Sequence, residues 1–312
     1  MAAVFETKGL TVGYRNGERE LRLLEDLDLS LNKRELVCFM GPNGCGKSTL
    51  IRTLAGLQQP IAGKIPSKDE RHVAVVLTDR IQSQHMTVHE LITFGRYPYM
   101  SWDLALSDTD RSMIESSIDL VRVRHLTDKK INELSDGQMQ MVMIARALAQ
   151  DTPVLLLDEP TAHLDLNNRL EIMNLLRKLA REKGKSILLA THELDLALQT
   201  ADKVWLTTGN KLKKGIPEDL VLDGSFDSVF QFKGYDLKTG KVQHEAFRNT
   251  PVSVIGDGPV FLWTKNALER NGFSVEDDST NVVEITTNGW LTPGNNFNNL
   301  EQLIEFLIRR KI

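Results

Sequence analysis

The segment Gly41-Pro42-Asn43-Gly44-Cys45-Gly46-Lys47-Ser48 matches the pattern G-x4-G-K-[ST]. These residue types suit one task, the holding of a phosphate chain. Glycines let the backbone turn tightly and aim successive N–H groups at an anion. The helix expected to follow, from Lys47 to about Gly56, adds the positive end of its dipole. Lys47 can reach β- and γ-phosphates, and the Ser48 hydroxyl can bind Mg²⁺.

A second group is Val154-Leu-Leu-Leu157-Asp158-Glu159-Pro160. An apolar strand here delivers adjacent carboxylates at its C-terminal end, where ligands bind in open parallel sheets. Taken alone, such a pair is a solvated strand end. Behind a phosphate loop in the same sheet, Asp158 is placed to hold the Mg²⁺ shell. Glu159 is placed to polarise the attacking water as a general base. His192 follows the apolar run Ser186–Ala190. It is either structural or within reach of a γ-phosphate. Tyr14 is either a half-buried strand aromatic or a stacking surface for adenine.

The elements that must position these groups alternate. Glu35–Met40 reads as a buried strand, and His72–Leu77 as another. Pro153–Leu157 and Ser186–Ala190 are continuously apolar, as strands covered on both faces are. Leu27, Leu29 and Leu31 mark one face of an earlier strand. Asn168–Lys183 reads as an amphipathic helix with Leu170, Met173, Leu176 and Leu179 inward and Gly184 as its C-terminal cap. Ser107-Asp-Thr-Asp110 reads as the N-terminal cap of another helix. The whole predicts an α/β domain with a mainly parallel sheet.

Between the phosphate loop and the carboxylate strand lies Leu134-Ser135-Asp136-Gly137-Gln138. It resembles the signature motif of ATP-binding cassette (ABC) ATPases. The other pieces fall in that family's order over about residues 4–232. Tyr14 is similar to its adenine-stacking aromatic and Gly41–Thr49 to its phosphate loop. Leu155–Pro160 is similar to its magnesium and water strand, Ala162-His163-Leu164-Asp165 to its dimer-contact loop, and His192 to its switch histidine. The resemblance implies a P-loop NTPase cassette with a mainly parallel sheet, an antiparallel β part and a helical subdomain. It also implies a head-to-tail pair of cassettes acting on ATP and Mg²⁺. Each ATP would be held by Gly41–Thr49 of one copy. It would be closed by the signature of the other, through Ser135, Gly137 and Gln138.

Met86-Thr87-Val88 and Gly95-Arg96-Tyr97-Pro98-Tyr99 resemble the ATPase subunits of bacterial importers for iron–siderophore complexes, haem and vitamin B12. That resemblance implies polytopic membrane permease subunits as partners, met by the helical subdomain. Tyr97, Tyr99 and Trp102 are either a small aromatic core or an exposed partner surface. The alternatives are an ABC ATPase of a different transporter class, or a soluble ABC protein acting on ribosomes or DNA.

Two positions depart from the family pattern. A glutamine that contacts Mg²⁺ and water is usual after the His72–Leu77 strand. Thr78 stands there, followed by Asp79 and Arg80. Thr78 is expected to fill the metal-shell role weakly, with Gln82 or Gln84 as alternatives. Asp136 stands where glycine is usual, and either points outward or slows closure by repelling the partner's γ-phosphate.

Composition narrows the remaining classes. The 312 residues are 41% hydrophobic and 26% charged, which excludes disorder and collagen-like repeats. With 38 Lys and Arg against 42 Asp and Glu, the net charge of −4 gives no bulk attraction to nucleic acid or anionic lipid. No apolar run approaches the ~18–20 residues of a membrane span. The N-terminus lacks a secretory pattern. Cys38 and Cys45 alone make no disulfide framework, and they fit a reducing compartment. The expectation is a cytoplasmic protein, peripheral on the inner membrane face, touching the membrane only through its permease.

A composition shift near Lys233 divides the chain into a cassette, 1–234, with a helical subdomain at about 81–150, and an extension, 235–312. The extension reads as a small β-α-β-β-α unit. Its strands are expected at Val252–Ile255, Phe273–Val275 and Val282–Thr287, and its helices at about Pro259–Asn271 and Asn298–Arg310. Asp236–Gly240 either opens this extension or still belongs to the cassette tail. His244 is its one histidine, so a metal site there is not expected. Gly256-Asp-Gly258-Pro259 reads as a loop.

Overall fold

The computed structural model describes residues 3–17, 19–65, 73–78, 81, 83–232, 234–237, 240–242, 244, 246–248 and 250–309. His72, Asp79, Arg80, Gln82, Lys233, Lys238 and Thr239 lie outside the described residues. The chain forms two compact units, Met1–Gln231 and Phe232–Ile312.

The first unit opens with β1 (Ala3–Glu6), β2 (Lys8–Asn16), β3 (Arg19–Leu27) and β4 (Ser30–Asn32). Leu27, Leu29 and Leu31 are all buried, as their alternation predicts. They do not share a strand, however. β3 ends at Leu27, and β4 leaves to pair with β1. β5 (Leu36–Met40) runs into the glycine-rich loop and α1 (Lys47–Leu54). Next come β6 (Ala62–Lys64), which joins β2 and β3 in an antiparallel sheet, and β7 (Val73–Val76).

A helical stretch follows, with α2 (Val88–Thr93), a 3-10 segment Phe94–Tyr99, α3 (Asp108–Val121) and α4 (Asp136–Ala149). Ser107 and Asp110 cap α3 reciprocally, as their spacing predicts. The unit continues with β8 (Val154–Asp158), α5 (Leu166–Lys183), β9 (Ser186–Ala190), α6 (Leu194–Thr200), β10 (Lys203–Thr208), β11 (Lys211–Gly215), α7 (Pro217–Leu222) and α8 (Ser225–Phe230).

Gly184 closes α5 in the left-handed region. Met173, Leu176 and Leu179 face inward, but Leu170 is exposed. At ~100° per residue it stands roughly 120° from the middle of the buried arc set by Ile172, Met173, Leu176 and Ala180, which its chemistry alone hides.

The central sheet runs β11-β10-β5-β9-β8-β7, parallel except for β11. β5, β8 and β9 are buried along their whole length. Because β9 lies between β5 and β8, Ala190 pairs with Phe39 on one side and with Asp158 on the other. The glycine-rich loop, the carboxylates and His192 therefore leave the sheet side by side at one edge.

The second unit starts with the short hairpin β12 (Tyr235–Asp236) and β13 (Lys241–Val242), so Asp236 belongs here rather than to the cassette tail. Then come β14 (Pro251–Ile255), α9 (Gly258–Arg270), β15 (Ser274–Val275), β16 (Val282–Thr286), β17 (Gly289–Thr292), β18 (Asn295–Phe297) and α10 (Leu300–Arg309). Their sheet is ordered β15-β14-β16-β17-β18. The β-α-β-β-α expectation is corrected by β17 and β18, which extend this sheet after the turn at Thr287–Asn288. Val252, Leu268, Phe273, Val283, Leu303 and Leu307 form the core.

Candidate active site

The glycine-rich loop takes backbone angles that side chains resist. Gly44 and Gly46 have φ of 79° and 102°. Gly46 caps α1 without any side-chain acceptor, so the first N–H groups of α1 are left for another anion. Lys47 is 6% exposed, and its Nζ donates to the carbonyls of Gly41 at 3.0 Å and Pro42 at 3.3 Å. The ammonium is thereby held across the mouth of the loop. Pro42, Asn43 and Cys45 complete the loop, and Cys45 N–H donates to Pro42 O at 3.3 Å.

Ser48 Oγ donates to Asp158 Oδ1 at 3.1 Å. Asp158 is 1% exposed, and among the described residues its Oδ2 has no partner. Burial pushes its carboxyl above the ordinary carboxylate range, and the Ser48 hydrogen bond opposes that. No cluster of three or more His, Cys, Asp or Glu able to hold a metal occurs among the described residues. A hydroxyl and an orphaned carboxylate oxygen do fit a hard cation whose other ligands are phosphate oxygens and water.

Glu159 follows with φ of 48°, in the left-handed region. Its N–H donates to Ala190 O at 2.9 Å, which pins this costly conformation to the end of β9. One carboxylate oxygen lies 3.8 Å from Lys47 Nζ, and the other lies 3.5 Å from His192 Nδ1. His192 Nε2 is 3.6 Å from Glu193 Oε1, and Glu193 Oε2 is 2.8 Å from Arg169 Nη1. Lys47, Glu159, His192, Glu193 and Arg169 thus form one line of neighbouring charged or ionisable groups.

Tyr14 lies on β2 and is 53% exposed as a residue, and its hydroxyl is 3.0 Å from Thr49 Oγ1. Its ring therefore presents a free face beside α1 rather than filling the core. Thr78 is exposed and shares a cleft of about 670 Å³ with Gln84, Asp136, Gln140 and Glu159.

Ser135, Gly137 and Gln138 sit at the start of α4. Ser135 Oγ accepts from Gln138 N–H at 3.3 Å, and Gln138 Oε1 accepts from Ser135 N–H at 3.2 Å. Gly137 is buried against Asn168, where a Cβ would come within 3.0 Å of the amide. Among the described residues no hydrogen bond or ion pair joins these three to loop 41–48. The structure thus gathers Lys47, Ser48, Asp158, Glu159 and His192, sets Tyr14 beside them, and leaves the Ser135 group apart. Asp136 is exposed at the first position of α4.

Residues 24–162 match the ABC transporter family, and residues 249–308 match the iron ABC transporter C-terminal domain. An uncharacterized ABC transporter ATP-binding protein of Methanocaldococcus jannaschii is 34% identical over 288 residues, 87% of this chain and 98% of that protein. The chain belongs to the ABC transporter ATP-binding proteins. As a member of that family it is an ATPase and binds ATP. The iron(3+)-hydroxamate import ATP-binding protein FhuC of Bacillus subtilis is 36% identical over 237 residues, 72% of this chain and 87% of that protein. Among solved structures, a transporter described as of the metal-chelate type, in an inward-facing conformation, superposes with a TM-score of 0.67 at 27% identity. That match covers 74% of this chain and 90% of the other. The dimeric bacterial cassette MJ0796 gives a TM-score of 0.60 at 27% identity, over 68% of this chain and 98% of the other.

The C-terminal match means that the ABC resemblance does not stop near residue 235. The sequence reading also missed Glu193 and Arg169. Glu193 adjoins His192, which was a usable signal, but nothing local links Arg169 to a residue 24 positions on.

Gly95-Arg96 proves architectural. Arg96 is 5% exposed, lies 2.8 Å from Asp110, donates to Ala149 O at 2.9 Å, and stacks 3.9 Å over the Tyr99 ring. Tyr97 and Trp102 are instead exposed, 61% and 101%. Among the described residues, no helix is long and apolar enough to cross a membrane.

Proposed function

We propose that the chain is the ATP-hydrolysing motor of a membrane importer for an iron–siderophore or related metal chelate, haem and cobalamin included. The observation that carries the catalytic reading is the meeting of Ser48, Asp158, Lys47 and Glu159 at the ends of adjoining strands, with a buried carboxylate oxygen left unpartnered among the described residues. The cargo class is supported by relatives such as FhuC and by the C-terminal match.

In this reading loop 41–49 and the open start of α1 wrap the phosphates, and Tyr14 stacks on the adenine. Lys47 exchanges the carbonyls of Gly41 and Pro42 for β- and γ-phosphate oxygens. Ser48 and Asp158 would hold Mg²⁺, with Thr78 as a further contact. When bound, Mg²⁺ neutralises charge developing on the phosphates. Glu159 accepts hydrogen-bonding from the attacking water and draws its proton, while His192 steadies the γ-phosphate side. The pinned left-handed turn at Glu159 sets one of its carboxylate oxygens 3.8 Å from Lys47 Nζ.

A second copy of the chain completes each site. Its Ser135 hydroxyl still has a proton to donate after accepting from Gln138, and Gly137 lets the start of α4 pack against Asn168. Exposed Tyr97 and Trp102 offer a polytopic permease an aromatic surface. In this reading the chain meets the membrane through its permease, on the cytoplasmic face. Gentle detergent purification of the tagged native protein tests this. A polytopic membrane protein recovered in fixed ratio supports the importer. Recovery with ribosomes, or without a membrane partner, contradicts it.

A further inference from the structure

His192 is 49% exposed at its side chain, so packing does not fix its ring. What faces it is a carboxylate on each side, Glu159 near Nδ1 at 3.5 Å and Glu193 near Nε2 at 3.6 Å. The orientation of the ring therefore depends on where Glu193 is held. Glu193 is partly buried, at 15% side-chain exposure, and its N–H donates to Thr191 Oγ1 at 3.0 Å. Its second oxygen is taken by Arg169 Nη1 at 2.8 Å. The same guanidinium uses its Nε to donate to the backbone carbonyl of Leu164 at 2.7 Å.

Arg169 thus has two rigid attachments. One is the loop that follows Glu159, through Leu164, and the other is the residue next to His192. Its base is fixed as well, because Arg169 N–H donates to Asp165 O at 3.0 Å and Asp165 caps α5 through Asn168 N–H at 2.9 Å. A planar guanidinium can serve both acceptors at fixed angles, which an ammonium cannot.

We propose that Arg169 is a positioning residue for ATP hydrolysis. By clamping Glu193 to the Leu164 carbonyl it holds His192 in line with Glu159, and makes the ring's placement depend on the loop 161–165. This rests on the proposed roles of Glu159 and His192. It adds that the loop cannot shift without moving the carboxylate that steadies the histidine.

The test uses the purified full chain with ATP and Mg²⁺. R169Q and E193Q are each expected to lower kcat about tenfold, because a small misplacement of a catalytic group is costly, with KM for ATP within about twofold. The R169Q/E193Q double variant is expected to be no slower than either single variant, since the clamp is then already open. R169K should recover part of the rate by pairing with Glu193 alone. The side-chain ¹⁵N resonances of His192 should shift in R169Q, a readout that a loss of general stability does not give. An R169Q chain with unchanged kcat and unchanged His192 resonances overturns the proposal, as do additive losses in the double variant. E159Q measured alongside separates the two claims. If E159Q keeps the wild-type rate, the site reading falls and takes this proposal with it. If E159Q is inactive and R169Q is not slowed, only the clamp falls.

Discussion

Ser48 Oγ donates to Asp158 Oδ1 at 3.1 Å, and this one bond ties the first turn of α1 to the last residue of β8. It joins the two halves of the proposed phosphate–metal site, which stand 110 residues apart in sequence. Among the described residues it also leaves Asp158 Oδ2 buried and unpartnered, a charge-bearing group that the fold tolerates at a cost.

That cost has a sign. Burial raises the Asp158 carboxyl above its ordinary value, so its contribution to stability is present at acid pH and is lost as pH rises through the raised value. Once ionised, the group weakens the nucleotide-free protein. D158N should therefore melt at the same temperature as wild type or higher without ligand. Wild type should gain roughly 5–10 °C from MgATP at a hundredfold excess over Kd. D158N should lose most of that gain. Thermal melts of both proteins, with and without MgATP, check the pair of statements.

The buried Arg96–Asp110 pair behaves in the opposite sense. The Ser107 hydrogen bond, and after it Arg96, holds the Asp110 carboxyl below the usual range. Its stabilisation is present above about pH 4, near the carboxyl's unfolded value, and is lost as pH falls through the lowered one. R96A should destabilise the cassette by about 3–5 kcal/mol, because it strands a buried carboxylate. D110N should differ most from wild type near pH 7 and least at the acid limit. Denaturant melts across pH 3–8, roughly spanning the carboxyl range, measure this.

Trp102 is fully exposed, and among the described residues no hydrogen bond, ion pair or ring contact involves it. W102A should change stability by less than ~0.5 kcal/mol and leave basal ATP hydrolysis unaltered. If the permease seats on this surface, W102A should weaken the complex by about 30-fold, the size of an aromatic anchor's loss. Co-purification yield and binding kinetics against the permease separate these outcomes.

Much of this architecture is legible in the sequence because its signals are local. Val154–Leu157 and Ser186–Ala190 read as doubly covered strands, and that is how β8 and β9 sit. Gly184 and the Ser107–Asp110 box mark helix ends by residue type alone. The misses have a common cause in pairing that residue type does not reveal. Asn295-Asn296-Phe297 has little strand character, yet it pairs with β17 so that Phe297 lies opposite Trp290. Leu170 is apolar but points away from the core. The glycine-rich loop and the Asp158–Glu159 pair were legible as chemistry. The left-handed turn of Glu159 and the Arg169–Glu193 link belong to tertiary geometry and were not.

In the proposed function, Glu159 is the group that activates water. E159Q keeps the size, the backbone turn and the loop contacts, and removes only the charge. Single-turnover ATP hydrolysis by wild type and E159Q, with nucleotide affinity measured on the same samples, tests it directly. The account predicts at least about a hundredfold loss of rate with ATP still bound. Hydrolysis by E159Q at the wild-type rate would contradict it.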